Sequence, residues 1–194
     1  MKKTVIINGH PDKESFNHAL HKAYKTGALS AGSEVEDIVL SDMEFSPNLR
    51  FGYRQRTDWE PDLLNAWNKI LHANHLVLIF PMWWASMPAL MKGFFDRVFL
   101  PGFAFDYQEK SPFPKKLLEG KTSEIITTLD TPVWYYKWVL GNPGIKLLEK
   151  SILGFCGIQN KRTTYLAVLK TSDDKQRQKW LSKVKALGTS SENK

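Results

Sequence analysis

Three stretches of the chain carry residue types that could hold a ligand or move a proton. Gly9-His10-Pro11-Asp12 breaks the chain just before Ser15-Phe16-Asn17, where a helix start would offer unpaired N–H groups and the positive end of its dipole to an anion. Phosphate is the expected anion. Pro81-Met82-Trp83-Trp84-Ala85 places two indoles side by side, a surface suited to a flat, partly apolar ring. Thr127-Thr128-Leu129-Asp130 leads to Trp134, Tyr135, Tyr136 and Trp138, a density of rings that core packing alone does not explain on a loop. Two readings stay open: His10 either meets the phosphate or shapes the turn before Pro11, and Trp83 and Trp84 either wall a ring or pack in a core or interface.

Other chemistries lack their residues. His10, His18, His21, His72 and His75 form no H-E-x-x-H or comparable metal set, and His18 and His21 read as helix-surface residues. No serine sits in G-x-S-x-G, and neither G-x-x-x-x-G-K-[ST] nor G-x-G-x-x-G occurs. Cys156 is the single cysteine, so no intramolecular disulfide can form, and its apolar neighbours Phe155 and Leu153 predict a buried structural thiol. What remains is a phosphate-bearing ring system, with phosphate at the first loop and ring between the aromatic loops. A flavin fits that description.

The elements that would position these loops read as alternating strands and helices. Thr4-Val5-Ile6-Ile7 predicts a central strand, Phe16 to Tyr24 a helix, Glu34 to Leu40 a second strand, and Pro61 to Ala73 a second helix. His75 to Phe80 is a continuous apolar run expected to be buried on both faces and stopped by Pro81. Ser86 and Pro88 predict the cap of a third helix, with Lys92, Asp96 and Arg97 on its wetter side. Pro101 to Leu117 reads as an aromatic connection, Thr122 to Leu129 as a fourth strand, Ile145 to Leu153 as a helix, and Arg162 to Leu169 as a fifth strand. Ser172-Asp173-Asp174 would cap a last helix. Ser41 to Asp58 is aperiodic and predicts a long surface loop of possible function. The pattern predicts one α/β domain over residues 1–188, a parallel sheet covered on both faces, and a frayed tail at 189–194.

Composition narrows the classes further. The net charge of +7 comes from lysines scattered among acidic residues, so nucleic acid is not an expected partner. No apolar run approaches a membrane span and the N-terminal apolar stretch is too short for a signal peptide, so a soluble cytoplasmic protein without membrane insertion is expected.

Gly9-His10-Pro11 with Ser15-Phe16-Asn17, Phe80 to Trp84 with Pro88-Ala89 and Lys92-Gly93, and Gly154-Phe155-Cys156-Gly157 together resemble the NAD(P)H:quinone oxidoreductase (DT-diaphorase) family of flavodoxin-like proteins. The resemblance spans nearly the whole chain. It implies a flavodoxin-like three-layer sandwich with a five-stranded parallel sheet, a noncovalent flavin (FMN, with FAD as the alternative), NAD(P)H as co-substrate, a quinone-type acceptor and a homodimer. It would place His10, Ser15, Phe16 and Asn17 at the flavin phosphate and ribityl chain, and Pro81, Met82, Trp83, Trp84 and Ala85 along the isoalloxazine. Thr127, Thr128, Leu129 and Asp130 would flank the other side. Tyr135 falls where the family has its active-site tyrosine, and Tyr136 offers a second hydroxyl. Two departures stand out: Leu129-Asp130 replaces a family Gly-Gly, and Gly141 stands where well-known members have a histidine.

Two other functions are compatible with such a chain. Some relatives are ancillary subunits of potassium-efflux transporters. A flavodoxin-like single-electron carrier is disfavoured by the basic surface, since such carriers are acidic.

Overall fold

A computed structural model of the protein describes residues 2–109 and 111–190. In chain order its first elements are β1 (Lys3–Asn8), α1 (Phe16–Ser30), β2 (Glu34–Val39), α2 (Pro61–His72), β3 (His75–Pro81) and α3 (Ala89–Val98). Then come β4 (Phe105–Gln108), β5 (Ser111–Lys116), β6 (Thr122–Leu129), α4 (Pro143–Lys146), α5 (Gly154–Cys156), β7 (Gln159–Ala167) and α6 (Asp174–Ser190). Five strands form one parallel sheet in the order β2-β1-β3-β6-β7, with β1 and β3 at its heart as their apolar runs require. This is the flavodoxin-like doubly wound order, in which ligands lie beyond the carboxyl ends of the strands.

Strand alternation sends neighbouring residues to opposite layers. Ile6, Val77, Ile79 and Ile126 pack under α1 and α6 with Leu20, Tyr24, Trp180 and Val184. Val5, Ile7, Leu76, Leu78 and Ile125 pack under α2, α3 and the 143–156 segment. α1 and α6 cross backbone to backbone: a Cβ on Gly27 would stand 2.0 Å from the Lys185 carbonyl oxygen, and one on Gly188 2.3 Å from that of Tyr24. Two small residues thereby lock the C-terminal helix beside the one that starts at the first loop.

Several expectations need correction. The 101–117 connection contains an antiparallel hairpin, β4 with β5, although Pro112 and Pro114 cannot donate to a ladder. The ladder of β3 runs on to Pro81, which pairs with Thr128, because the next amide, that of Met82, supplies the hydrogen bond to the Thr128 carbonyl. Pro88 and not Ser86 precedes α3, since Ser86 is bonded back to Trp83. β7 starts at Gln159, three residues ahead of the expected Arg162. The aromatic run after β6 is a π-helical segment, Tyr135–Val139, and a second π-helical stretch, Leu147–Leu153, joins α4 to α5. Thr189 and Ser190 belong to α6, while the rest of the expected tail lies outside the described residues.

Two charged or polar residues thought exposed are buried. His21 shares the Asp37 carboxylate with Lys25, its Nε2 lying 2.8 Å from Oδ1. Burial alone would raise the Asp37 pKa, but the hydrogen bonds from His21 and Lys25 outweigh it and hold the carboxyl down at about 2. Arg97 is only 1% exposed, and it gathers the long loop onto α3: its guanidinium donates to the Ser46 and Asp58 carbonyls (2.5 and 2.9 Å) and to both Glu60 oxygens. That loop touches α3 again where a Cβ on Gly93 would meet Pro47 at 2.4 Å. Cys156 is buried as expected, and burial pushes its thiol up to about 12.

Candidate active site

The loops after β1, β3 and β6 start side by side because their backbones are hydrogen-bonded at the strand ends. The Gly9 N–H donates to the Ile79 carbonyl (2.8 Å) and that of Met82 to the Thr128 carbonyl (2.7 Å).

The first loop is folded by its own side chains. Asn8 Oδ1 accepts the His10 N–H (3.0 Å), His10 Nδ1 accepts the Asp12 N–H (3.0 Å), and Asp12 Oδ1 accepts the Glu14 N–H (3.0 Å). With Nδ1 accepting, the neutral ring carries its proton on Nε2. Burial favours that neutral form by lowering the His10 pKa, against the opposing pull of Asp12. One ring nitrogen therefore shapes the turn, which bears out that reading of His10, and the other carries the ring proton. Asn8, which sequence reasoning passed over, sets the geometry; an amide closing a strand just before Gly9 was its only signal.

Ser15 occupies the N-cap position of α1, yet its hydroxyl does not cap the helix and lies 3.3 Å from His18 Nδ1. No acidic side chain stands in the first turn of α1 to offset the helix dipole. Asn17 is 1% exposed; its Nδ2 donates to Thr128 Oγ1 (3.1 Å), while its Oδ1 is buried without a partner. His18, taken for a surface residue, is half-buried behind Ser15 with Nε2 also unpartnered. The Phe16 ring turns away, against Trp180 (centroids 6.1 Å), so only its backbone N–H is available to a ligand.

The second loop is a tight reversal. Trp83 and Ser86 exchange two backbone hydrogen bonds of 2.9 Å, forcing Trp84 (φ 49°) and Ala85 (φ 61°) into the left-handed region. Two non-glycine residues there cost on the order of 1–3 kcal/mol each and persist only when surroundings impose them. Here the imposing partner is the segment after β6. Tyr136 donates to the Ala85 carbonyl (3.3 Å), and Gly144 approaches so closely that a Cβ would stand 2.4 Å from the same oxygen. Pro81 is buried and Met82 packs on the core below. Trp83 meets the His10 ring edge to face at 5.5 Å, and Trp84 stands wholly in solvent.

Thr127 and Thr128 are buried at the end of β6, Leu129 points into the core, and Asp130 turns outward to accept the Lys170 N–H (2.7 Å). Only the backbone of Leu129 and Asp130 is thereby left to face a ligand. Tyr135 is 39% exposed beside Trp134, whereas Tyr136 is 1% exposed. The Tyr136 hydroxyl also accepts the Gly144 and Ile145 N–H groups (3.1 and 3.3 Å). The expectation of a catalytic Tyr136 is corrected on that ground: its hydroxyl is sealed from substrate and holds the second loop in place.

These residues fit a flavin. The start of α1 offers amides and an uncompensated dipole to a phosphate, and the buried orphan oxygen of Asn17 calls for a donor such as a ribityl hydroxyl. Trp83, Trp84, Trp134 and Tyr135 remain exposed beside these groups.

Comparisons with known proteins follow the same lines. A family model described as flavodoxin-like fold matches residues 2–187. A solved structure of Smu.1420 from Streptococcus mutans UA159 is 34% identical with a TM-score of 0.84, covering 96% of this chain and 98% of that one. NAD(P)H dehydrogenase [quinone] 1 of Cavia porcellus is 30% identical over 185 residues, covering 82% of this chain, and the match spans 66% of that protein's length. Ribosyldihydronicotinamide dehydrogenase [quinone] of Pongo abelii is 30% identical over 183 residues, covering 81% of this chain and 78% of that protein.

Proposed function

We propose, because the chain belongs to the flavodoxin-like-fold family and to its branch of NAD(P)H:quinone oxidoreductase-like proteins, that it is a flavin-dependent NAD(P)H oxidoreductase acting on quinones or related acceptors. The observation that carries this reading is the pairing of an acid-free helix start at Ser15-Phe16-Asn17 with the imposed left-handed turn at Trp84-Ala85, on adjacent strand ends.

In this reading the α1 amides, the Ser15 hydroxyl and the His10 Nε2–H bind the phosphate, and Asn17 orients the chain between phosphate and ring. One helix start serves one phosphate, which favours FMN. The amides of the second loop face the ring's polar edge, fixed there by Tyr136 and Gly144. When bound, the flavin supplies the two-electron step, accepting a hydride from NAD(P)H and passing it to the acceptor. The protein's share is binding, orientation, exclusion of water and a proton source.

Tyr135 is the hydroxyl available for that last role, since Gly141 leaves no imidazole and Tyr136 is closed off. In one chain Trp134, Trp138, Val139 and Leu140 stand exposed on the segment after β6. A second copy of the chain covering this face would complete the walls, so the working form is proposed to be a homodimer.

The test is consumption of NADH or NADPH in the presence of a benzoquinone. Tyr135→Phe is expected to lower kcat by about tenfold or more with KM little changed, as loss of a proton donor used only in the transition state requires. Tyr136→Phe is expected instead to lower stability by about 1–3 kcal/mol, leaving turnover per folded molecule near wild type. A silent Tyr135→Phe beside a crippled Tyr136→Phe would overturn the assignment.

A further inference from the structure

β1 ends on a residue that the packing of the sheet does not explain. Val5 and Ile7 face one layer and Ile6 the other, and strand alternation puts Asn8 on the side of Ile6, beneath α1. Asn8 is 0% exposed and lies between Val39 and Ile79 of the neighbouring strands. Its Oδ1 accepts the His10 N–H (3.0 Å), but its Nδ2 is buried without a partner. A buried amide donor with no acceptor is destabilising. A leucine of similar size would fill the same place without that penalty, so the sheet alone gives no reason for an asparagine here.

The reason lies two residues on. Gly9, the most permissive kind of residue, stands between strand and loop, and its own N–H is spent on the Ile79 carbonyl. The Asn8 bond to the His10 N–H therefore fixes the direction in which the loop leaves the strand. The His10 ring is then gripped twice more: its Nδ1 accepts the Asp12 N–H (3.0 Å), and its edge meets Trp83 of the second loop at 5.5 Å. Asn8 thus begins a chain of contacts that runs through His10 to both loops and leaves Nε2 with the ring proton.

We infer that Asn8 is a positioning residue that aims the His10 ring at the flavin phosphate, and that the end of β1 is less stable than it could be for the sake of that aim. The inference rests on the flavin reading above and adds the residue on which the contribution of His10 depends.

The test measures FMN affinity by quenching of flavin fluorescence in wild type, Asn8→Leu, His10→Ala and the double variant, together with the urea midpoint of each apoprotein. Asn8→Leu is expected to weaken FMN binding by roughly tenfold, the upper end for one hydrogen bond between neutral groups. Its midpoint is expected to equal or exceed that of wild type, because the orphaned Nδ2 is gone and the His10 N–H, in a half-buried loop, can turn to water. His10→Ala is expected to weaken binding as well. The double variant should bind within about twofold of His10→Ala alone, since Asn8 acts through the ring that variant lacks. A residue with a merely structural role would lower the midpoint and show no such coupling. Asn8→Leu or His10→Ala binding FMN within about threefold of wild type, a lowered Asn8→Leu midpoint, or losses that multiply in the double variant would each overturn the inference. Wild-type protein that binds no FMN would instead overturn the flavin reading itself, and this inference with it.

Discussion

Asn17→Asp is expected to weaken flavin binding on the order of a hundredfold. Asn17 sits in the first turn of α1, 1% exposed, beside the amides assigned to the phosphate. A carboxylate there would set a full negative charge near a dianionic group in a site sheltered from water. At an effective dielectric near 20, like charges several ångströms apart repel by about 2–3 kcal/mol, which is that factor in Kd. The variant would also lose the amide donor to Thr128 Oγ1, although the threonine hydroxyl can turn and donate to the new carboxylate. Folding is read separately from the apoprotein's denaturation midpoint. A Kd for FMN within a factor of three of wild type, with the midpoint unchanged, would remove Asn17 from the site.

The second large effect belongs to Arg97. Arg97→Ala is expected to cost about 2–4 kcal/mol, at or below the range for breaking a fully buried ion pair because the Glu60 side chain is 32% exposed and water can take up part of its charge. It would free the Ser46 and Asp58 carbonyls and the Glu60 carboxylate together, and loosen the 43–60 loop from α3. Urea denaturation measures the cost. The pH dependence has a definite sign. Burial would raise the Glu60 pKa, but the hydrogen bonds and charge of Arg97, together with the Ser46 and Glu60 backbone N–H groups, outweigh it and hold the carboxyl below its usual value. The pair's contribution is present above the unfolded carboxylate pKa, about 4, and is lost as pH falls through the lower folded value. The gap between wild type and Arg97→Ala should therefore be full at neutral pH and narrow in acid. A gap that stays constant, or one under 1 kcal/mol, would contradict the role given to this arginine.

How far the sequence could be read follows from what each residue's neighbours are. The five parallel strands were legible because burial on both faces demands continuous apolar runs, and Val5-Ile6-Ile7 and Leu76 to Phe80 satisfy that demand without reference to anything distant. Arg97 was misplaced because a charge on a helix reads as solvent-facing unless the carbonyls of a loop some 40 residues earlier are known to surround it. His21 was missed for the same reason, since Asp37 lies on the next strand. The β4–β5 hairpin has largely exposed residues and two prolines, so neither periodicity nor propensity marks it.

Within the site, loop membership was legible and side-chain direction was not. Phe16 and Leu129 lie where expected in the chain, but their side chains belong to the core and leave only backbone at the strand-end loops. Tyr135 and Tyr136 are adjacent on a π-helical turn, so less than the roughly 100° step of an α-helix separates an exposed hydroxyl from a sealed one. Only the packing against Ala85 and Gly144 decides which is which.

The central claim is that the three strand-end loops hold a flavin, and the visible absorption spectrum of the purified full-length protein, with mass identification of what denaturation releases, tests it most directly. The account gives flavin bands and a released FMN, or their appearance on adding FMN to protein purified without it. Protein that is colourless and leaves the spectrum of added FMN unchanged would contradict it.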